Sequence, residues 1–167
     1  MQYTLSIKSP VHCTEQEIRT FTEFMLHSNR VMRSGLDGRI KAAKALAFYK
    51  HEDNVIGVGA LKMVDRERVD RVFSMAGVRP PGRSMLEYGW VYIDENHRGN
   101  KLFKVMTQQM LGLIGRSLPS QPVFATANAS STQIATVNRQ VGLNPVGCPY
   151  ESARAECLEL QLFVKGV

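Results

Sequence analysis

Residues 86–101 carry the densest chemistry in the chain. Leu86–Ile93 reads as a strand, Asp94–Arg98 as a polar turn, and residues 99–116 as an amphipathic helix. A strand that turns directly into a helix leaves backbone N–H groups unpaired at the helix start. The helix dipole favours negative charge at the same place. Arg98 and Lys101 add two cations there. This spacing suits the holding of a phosphate or pyrophosphate. The plainer alternative is an ordinary strand–helix unit whose Arg98 and Lys101 face water.

Glu87 is the second candidate. It stands in the middle of an apolar strand, where a carboxylate without a partner is costly. Burial would raise its pKa towards neutrality, the range a general base needs. The alternative is a structural carboxylate paired with an arginine of the Asp65–Arg83 stretch. Cys148 has neither a histidine nor an acid near it in sequence, which argues against a nucleophile. The cysteines Cys13, Cys148 and Cys157 are odd in number and lack a Cys-x-x-Cys pair. The histidines His12, His27, His51 and His97 form no ligand motif, so no metal is expected. His97 is expected to be a solvated turn residue.

The elements that must position these residues follow from periodicity. The chain has 167 residues, 44% hydrophobic and 22% charged, which suits one folded domain spanning 1–167. No run approaches the ~20 apolar residues of a membrane span. The start, Met1–Ile7, alternates like a strand and lacks the features of a signal peptide, so a cytoplasmic protein is expected. The net charge of +6 suits an anionic partner. The absence of a Lys/Arg block argues against nucleic acid.

Gln2–Ile7 predicts a strand. Thr14 and Glu17 have capping-box spacing ahead of a helix that buries Ile18, Phe21 and Met25. Leu36–Ala43 predicts a short helix. Ala45–Lys50 and Val55–Met63 predict a hairpin around a four-residue turn. Asp65–Arg83 reads as a long loop with at most one helical turn. After it come the strand Leu86–Ile93 and a helix burying Leu102, Val105, Met106, Met110, Leu113 and Ile114, ended by Gly115–Pro119. Then follow a strand Pro122–Thr126, a helix Ser130–Val141 capped by Gly142, and a strand Cys157–Val164. The order β-α-α-β-β-β-α-β-α-β predicts an α/β fold with a mixed central sheet flanked by helices on both faces. Trp90 and Tyr92 are expected to pack under a helix, on the face opposite Glu87, Gly89 and Val91.

The stretch Glu87–Gly99 resembles the fourth strand and acyl-CoA loop of the GNAT superfamily of N-acyltransferases. There a strand ends on Val or Ile and leads, five residues later, into Arg/Gln-x-x-Gly-x-Gly/Ala. Ile93 and Arg98 keep that spacing. Phe124-Ala125-Thr126 resembles the family's fifth strand, and Gln140-Val141-Gly142-Leu143 the close of its fourth helix. Lys101 and Phe103 stand where the motif has its small residues, Ser131 where the family often has Asn, and Asn138 where it often has a tyrosine acid.

The resemblance implies acetyl-CoA or another acyl-CoA as co-substrate, no metal, and direct attack of an amine on the thioester. It implies cofactor contacts at Val91, Tyr92, Ile93, Arg98, Gly99, Asn100, Lys101, Leu102, Phe103 and Ser131. The oxyanion falls to backbone around Val91–Ile93. Lys101 would donate its N–H and pair its ammonium with phosphate, while Phe103 would turn into the core. Glu87 lies eleven residues before Arg98, the place of a catalytic glutamate in some members, and Tyr150 is the substitute acid or else a packed surface tyrosine. The acceptor is a small-molecule or peptide amine, and a homodimer stays open. Two readings compete: a degenerate member that binds without turnover, and a modifier of nucleic acid or of a protein bound to it. The acceptor pocket would come from residues 28–44 and 63–84. There Arg30, Arg33, Arg39 and Lys41 point to an anionic acceptor, or else to solvated helix charge.

Overall fold

The computed structural model describes residues 2–28, 31–82, 84–117, 121–152 and 158–166. The elements are β1 (Tyr3–Lys8), α1 (Glu15–His27), α2 (Leu36–Lys41), β2 (Ala45–His51), β3 (Asn54–Met63), α3 (Arg66–Met75), β4 (Leu86–Ile93), α4 (Leu102–Ser117), β5 (Val123–Asn128), α5 (Thr132–Gln140), β6 (Asn144–Glu151) and β7 (Glu159–Lys165). Short 3₁₀ turns cover Pro10–His12 and Glu95–His97. The strands form one mixed seven-stranded sheet in the order β1-β2-β3-β4-β5-β7-β6. β4 and β5 pair in parallel, whereas β1/β2, β2/β3, β5/β7 and β6/β7 pair antiparallel. The expected α/β class and mixed sheet are therefore present.

Contacts divide the chain into two compact units, residues 1–62 with 89–110, and residues 63–88 with 111–167. In the first, the predicted capping box is formed: Glu17 N donates to Thr14 Oγ1 at 3.1 Å, and Thr14 N to Glu17 Oε2 at 2.9 Å. This starts α1 in register, so that Ile18, Phe21 and Met25 meet Ile40, Phe48, Val58 and Ala60. Trp90 and Tyr92 join that cluster, with Phe21 edge-on to Trp90 at 6.3 Å and Phe24 tilted on Tyr92 at 5.5 Å. The opposite face of β3 meets α4. A β-carbon at Gly59 would come 2.5 Å from Met106 Sδ, so only glycine admits that methionine.

In the second unit, α3 buries Val69, Val72 and Phe73 against Phe124, Leu162 and Val164. Phe73 and Phe124 meet edge to face at 5.7 Å. Helix α5 ends as predicted: Gly142 takes φ +83°, and Leu143 N donates to the Asn138 carbonyl at 2.9 Å.

The structure corrects several sequence expectations. Asp65–Arg83 is not chiefly loop. The Asp65 carboxylate caps α3 by accepting from Arg68 N at 2.7 Å, and an apolar stripe at i, i+3 and i+4 is hidden among arginines. The turn of the β2–β3 hairpin has two residues, because His51 pairs with Asn54. Glu52 bears the positive φ, +55°, that so short a turn demands. Helix α4 begins at Leu102 rather than residue 99. Its buried face uses Thr107 and Leu111, while Val105 is 40% exposed. β6 was not expected as a strand, since Pro145, Gly147 and Pro149 are breakers. It is an edge strand whose pairing with β7 breaks between Val146 and Tyr150, where prolines are tolerated. The last strand starts at Glu159. Arg30, Arg83, Pro119 and Cys157, which the sequence reading used, lie outside the described residues.

Candidate active site

The turn between β4 and α4 lies in the first unit, with the end of β4 from Gly89 and the start of α4 up to Met110. Ile93 ends β4, and Asp94 caps the following 3₁₀ turn by accepting from Asn96 N at 2.9 Å. Arg98 then folds back on the strand. Its Nε donates to the Ile93 carbonyl at 3.0 Å, its Nη1 pairs with Glu95 Oε1 at 3.1 Å, and its guanidinium lies 5.9 Å from the centre of the Tyr92 ring. Arg98 therefore shapes the loop with the same side chain that the sequence offered as a phosphate cation.

Two residues just ahead of α4 adopt left-handed backbone, Gly99 at φ +85° and Lys101 at φ +60°. The Lys101 carbonyl accepts the first helical hydrogen bond, from Val105 N at 3.1 Å. Helical geometry leaves the N–H groups of Leu102, Phe103 and Lys104 without intrahelical acceptors. Apart from Gly99 itself and its two chain neighbours, no heavy atom of the described residues lies within 4 Å of the place a β-carbon would take there. Open backbone at Gly99 followed by unpaired N–H groups is a donor set fitted to a phosphate. Leu102, not Phe103, is the fully buried member of this pair, so the expectation that Phe103 turns into the core gives way to a half-buried position.

β4 carries an irregularity at its centre. Trp90 has φ +53°, a left-handed value rare for a bulky side chain. It breaks strict alternation just before Val91, whose methyl lies beside Gly59 and Met106 Sδ. The Trp90 indole has Lys62 Nζ at 5.0 Å and the Arg39 guanidinium at 5.9 Å from its centre. Arg39 also donates to the carbonyls of Met32, Ser34 and Gly35, which orders the segment before α2.

Glu87, Arg68 and Tyr150 come together in the second unit. Glu87 is 4% exposed. Arg68 grips it with Nη2 on Oε1 at 2.9 Å and Nε on Oε2 at 3.3 Å. Burial works against the Arg68 charge, but the adjacent carboxylate outweighs it and holds the guanidinium above its ordinary pKa. Burial also pushes the Tyr150 hydroxyl above its usual pKa. Arg68 pulls it back and Glu87 pushes it further up. The sequence named an arginine of the 65–83 stretch as one partner for Glu87, and the structure supplies Arg68. The expected burial holds, but not the premise of a carboxylate lacking a partner. The Asp65-x-x-Arg68 cap spacing was the signal that could have put Arg68 on a helix.

Ser131 caps α5, accepting from Ile134 N at 3.4 Å. Asn138 is 2% exposed, and its Oδ1 has no hydrogen-bond partner among the described residues. Cys148 is an exposed free thiol on β6, its N–H bonded to the Ala76 carbonyl at 3.0 Å. His97 is not a solvated turn residue: its Nδ1 lies 3.3 Å from the Tyr3 hydroxyl, and its ring 5.2 Å from that of His51.

Over 98% of its length the chain matches solved structures in fold, a GNAT-family acetyltransferase among them. Escherichia coli ElaA superposes with a TM-score of 0.74 at 13% identity, over 98% of this chain and 99% of that one. A GNAT-family acetyltransferase from Streptococcus pneumoniae gives 0.69 at 9% identity, over 98% of each chain. Arabidopsis thaliana NAA60, solved in complex with acetyl-CoA, gives 0.70 at 10% identity, over 98% of this chain and all of that one. The chain thus has the GNAT fold. No family model matches the sequence, and no curated protein does so either.

Proposed function

We propose that residues 1–167 form one N-acyltransferase domain that moves an acetyl group from acetyl-CoA to a primary amine. The observation that carries this reading is the left-handed pair Gly99 and Lys101, set between β4 and the unpaired N–H groups of α4, in a chain that matches the GNAT fold over 98% of its length. The backbone from Gly99 to Phe103 holds the pyrophosphate of the co-substrate, and Lys101 adds its ammonium. The β4 edge at Val91–Ile93 aligns the thioester, and a backbone N–H there steadies its oxygen as negative charge develops. Glu87, four residues upstream on the same strand, takes the proton that the acceptor ammonium must lose before attack. Positioning of the two reactants supplies a large part of the acceleration.

Cys13 and Cys148 are free thiols, in keeping with a cytoplasmic setting. The departure at Asn138 favours one second reading, a binding module that keeps acetyl-CoA affinity without turnover. Calorimetric titration with acetyl-CoA, followed by thiol release assayed over a panel of amines and peptides, separates the two. The transferase reading expects both binding and amine-dependent thiol release. Binding without release on any acceptor favours the module. No binding at millimolar acetyl-CoA removes both.

A further inference from the structure

The loop ahead of α4 is fastened to β1 and β2 of the first unit, its Asn100 and His97 meeting Tyr3 and His51. Asn100 Nδ2 donates to the Tyr3 hydroxyl oxygen at 3.2 Å and to the His97 carbonyl at 3.0 Å. The Tyr3 hydroxyl also lies 3.3 Å from His97 Nδ1. A hydroxyl both donates and accepts, so the Tyr3 oxygen takes the Asn100 hydrogen while the contact with His97 Nδ1 is kept. His51, the last residue of β2, closes the group. Its ring centre is 5.2 Å from that of Tyr3 and 5.2 Å from that of His97, and the Tyr3 and His97 rings meet edge-on at 5.8 Å.

On this reading of the loop as the acyl-CoA phosphate site, we propose that Tyr3 is a positioning residue for the co-substrate. It acts through Asn100 and His97 to hold Gly99 and Lys101 in their left-handed conformations. The loop needs such a hold. A lysine at φ +60° is strained, and a strained backbone persists only where its surroundings over-determine it. Asn100 lies between the two left-handed residues, and Tyr3 ties it to β1, a strand that pairs with β2 along its whole length. Tyr3 itself does not touch the phosphate and serves by keeping the donors of the loop in place.

The test is the dissociation constant of acetyl-CoA for the parent protein, Tyr3→Phe and Asn100→Ala, measured by calorimetry, beside the maximal rate of each with saturating acetyl-CoA. Tyr3→Phe is expected to bind about tenfold more weakly, about 1.4 kcal/mol. Its maximal rate with saturating acetyl-CoA stays near that of the parent. Asn100→Ala, a change in an exposed turn that does not threaten folding, shows a penalty of the same size. Equal affinity of Tyr3→Phe and the parent overturns the proposal, as does a fall in maximal rate as large as the fall in affinity. Failure of the parent to bind acetyl-CoA at all overturns the reading of the loop and this proposal with it. Binding by the parent without any Tyr3 penalty overturns this proposal alone.

Discussion

Arg68 holds Glu87 with two hydrogen bonds, one from each prong of its guanidinium, on a carboxylate that is almost wholly buried. The pair ties the first turn of α3 to the start of β4. A carboxylate so held can be a structural charge, or a base kept in position by the arginine. The two roles separate by measurement. Glu87→Gln keeps the shape and removes the charge. It is expected to lower turnover at neutral pH by ~100-fold while leaving acetyl-CoA affinity nearly unchanged. Arg68→Met removes both bonds and is expected to cost about 2–3 kcal/mol in urea denaturation. Parallel loss of stability and turnover in Glu87→Gln, with no rate effect beyond the unfolded fraction, would assign the residue to structure.

Tyr150 lies in the same electrostatic group, and its hydroxyl is held above the usual pKa by burial. It stays protonated at neutral pH but is a weaker acid than an ordinary tyrosine. A thiol of pKa near 8.5 leaves tolerably as thiolate, so a strong acid is not essential. Tyr150→Phe is expected to lower turnover by less than the ~100-fold a full general acid supplies. A larger loss with coenzyme binding intact would make Tyr150 the acid.

The first turn of α1 offers a pH-dependent check on the fold. Lys8 Nζ lies 2.6 Å from Glu17 Oε1, and this bond holds the Glu17 carboxyl below its ordinary pKa. Burial opposes that shift, and the Thr14 N–H adds to it. A carboxyl depressed in the folded state contributes stability that is present above its unfolded pKa, about 4.3, and lost as pH falls through the folded value. Glu17→Gln is therefore expected to cost about 1 kcal/mol at pH 7 and markedly less below about pH 3. Urea titrations at both pH values check this, and an equal cost at both would remove the charge from the account.

The sequence displayed the fold where periodicity was clean and hid it where charge or proline covered the pattern. The capping box at Thr14, the strand Leu86–Ile93 and the Gly142 cap were readable because each rests on local rules. Helix α3 was hidden because arginines and acids outnumber the residues of its buried stripe. β6 was hidden because an edge strand tolerates the prolines that would exclude an interior one. At the site, the spacing of Ile93 and Arg98 pointed to the loop, but the work of Arg98 within it did not follow. The return of its Nε to the Ile93 carbonyl is a matter of three-dimensional reach. The union of Tyr3, His51 and His97 depends on strand register and on loop geometry, which no local pattern encodes.

Lys101 tests the loop most directly. A β-carbon in left-handed backbone costs about 1 kcal/mol, a cost glycine avoids, although glycine gains freedom in the unfolded chain. Lys101→Ala keeps the β-carbon and removes the charge, whereas Lys101→Gly removes both. Lys101→Gly is expected to be more stable than Lys101→Ala, by up to about 1 kcal/mol in thermal melts. Affinity should divide along the other line. Both variants lose the ammonium, so both are expected to bind acetyl-CoA several-fold more weakly than the parent at low salt. That difference should narrow as salt shortens the Debye length to about 3 Å at 1 M. Equal stability of the alanine and glycine variants would remove backbone strain from the account of this loop. A parent affinity that does not respond to salt, with variants that bind as well as it does, would remove the lysine charge.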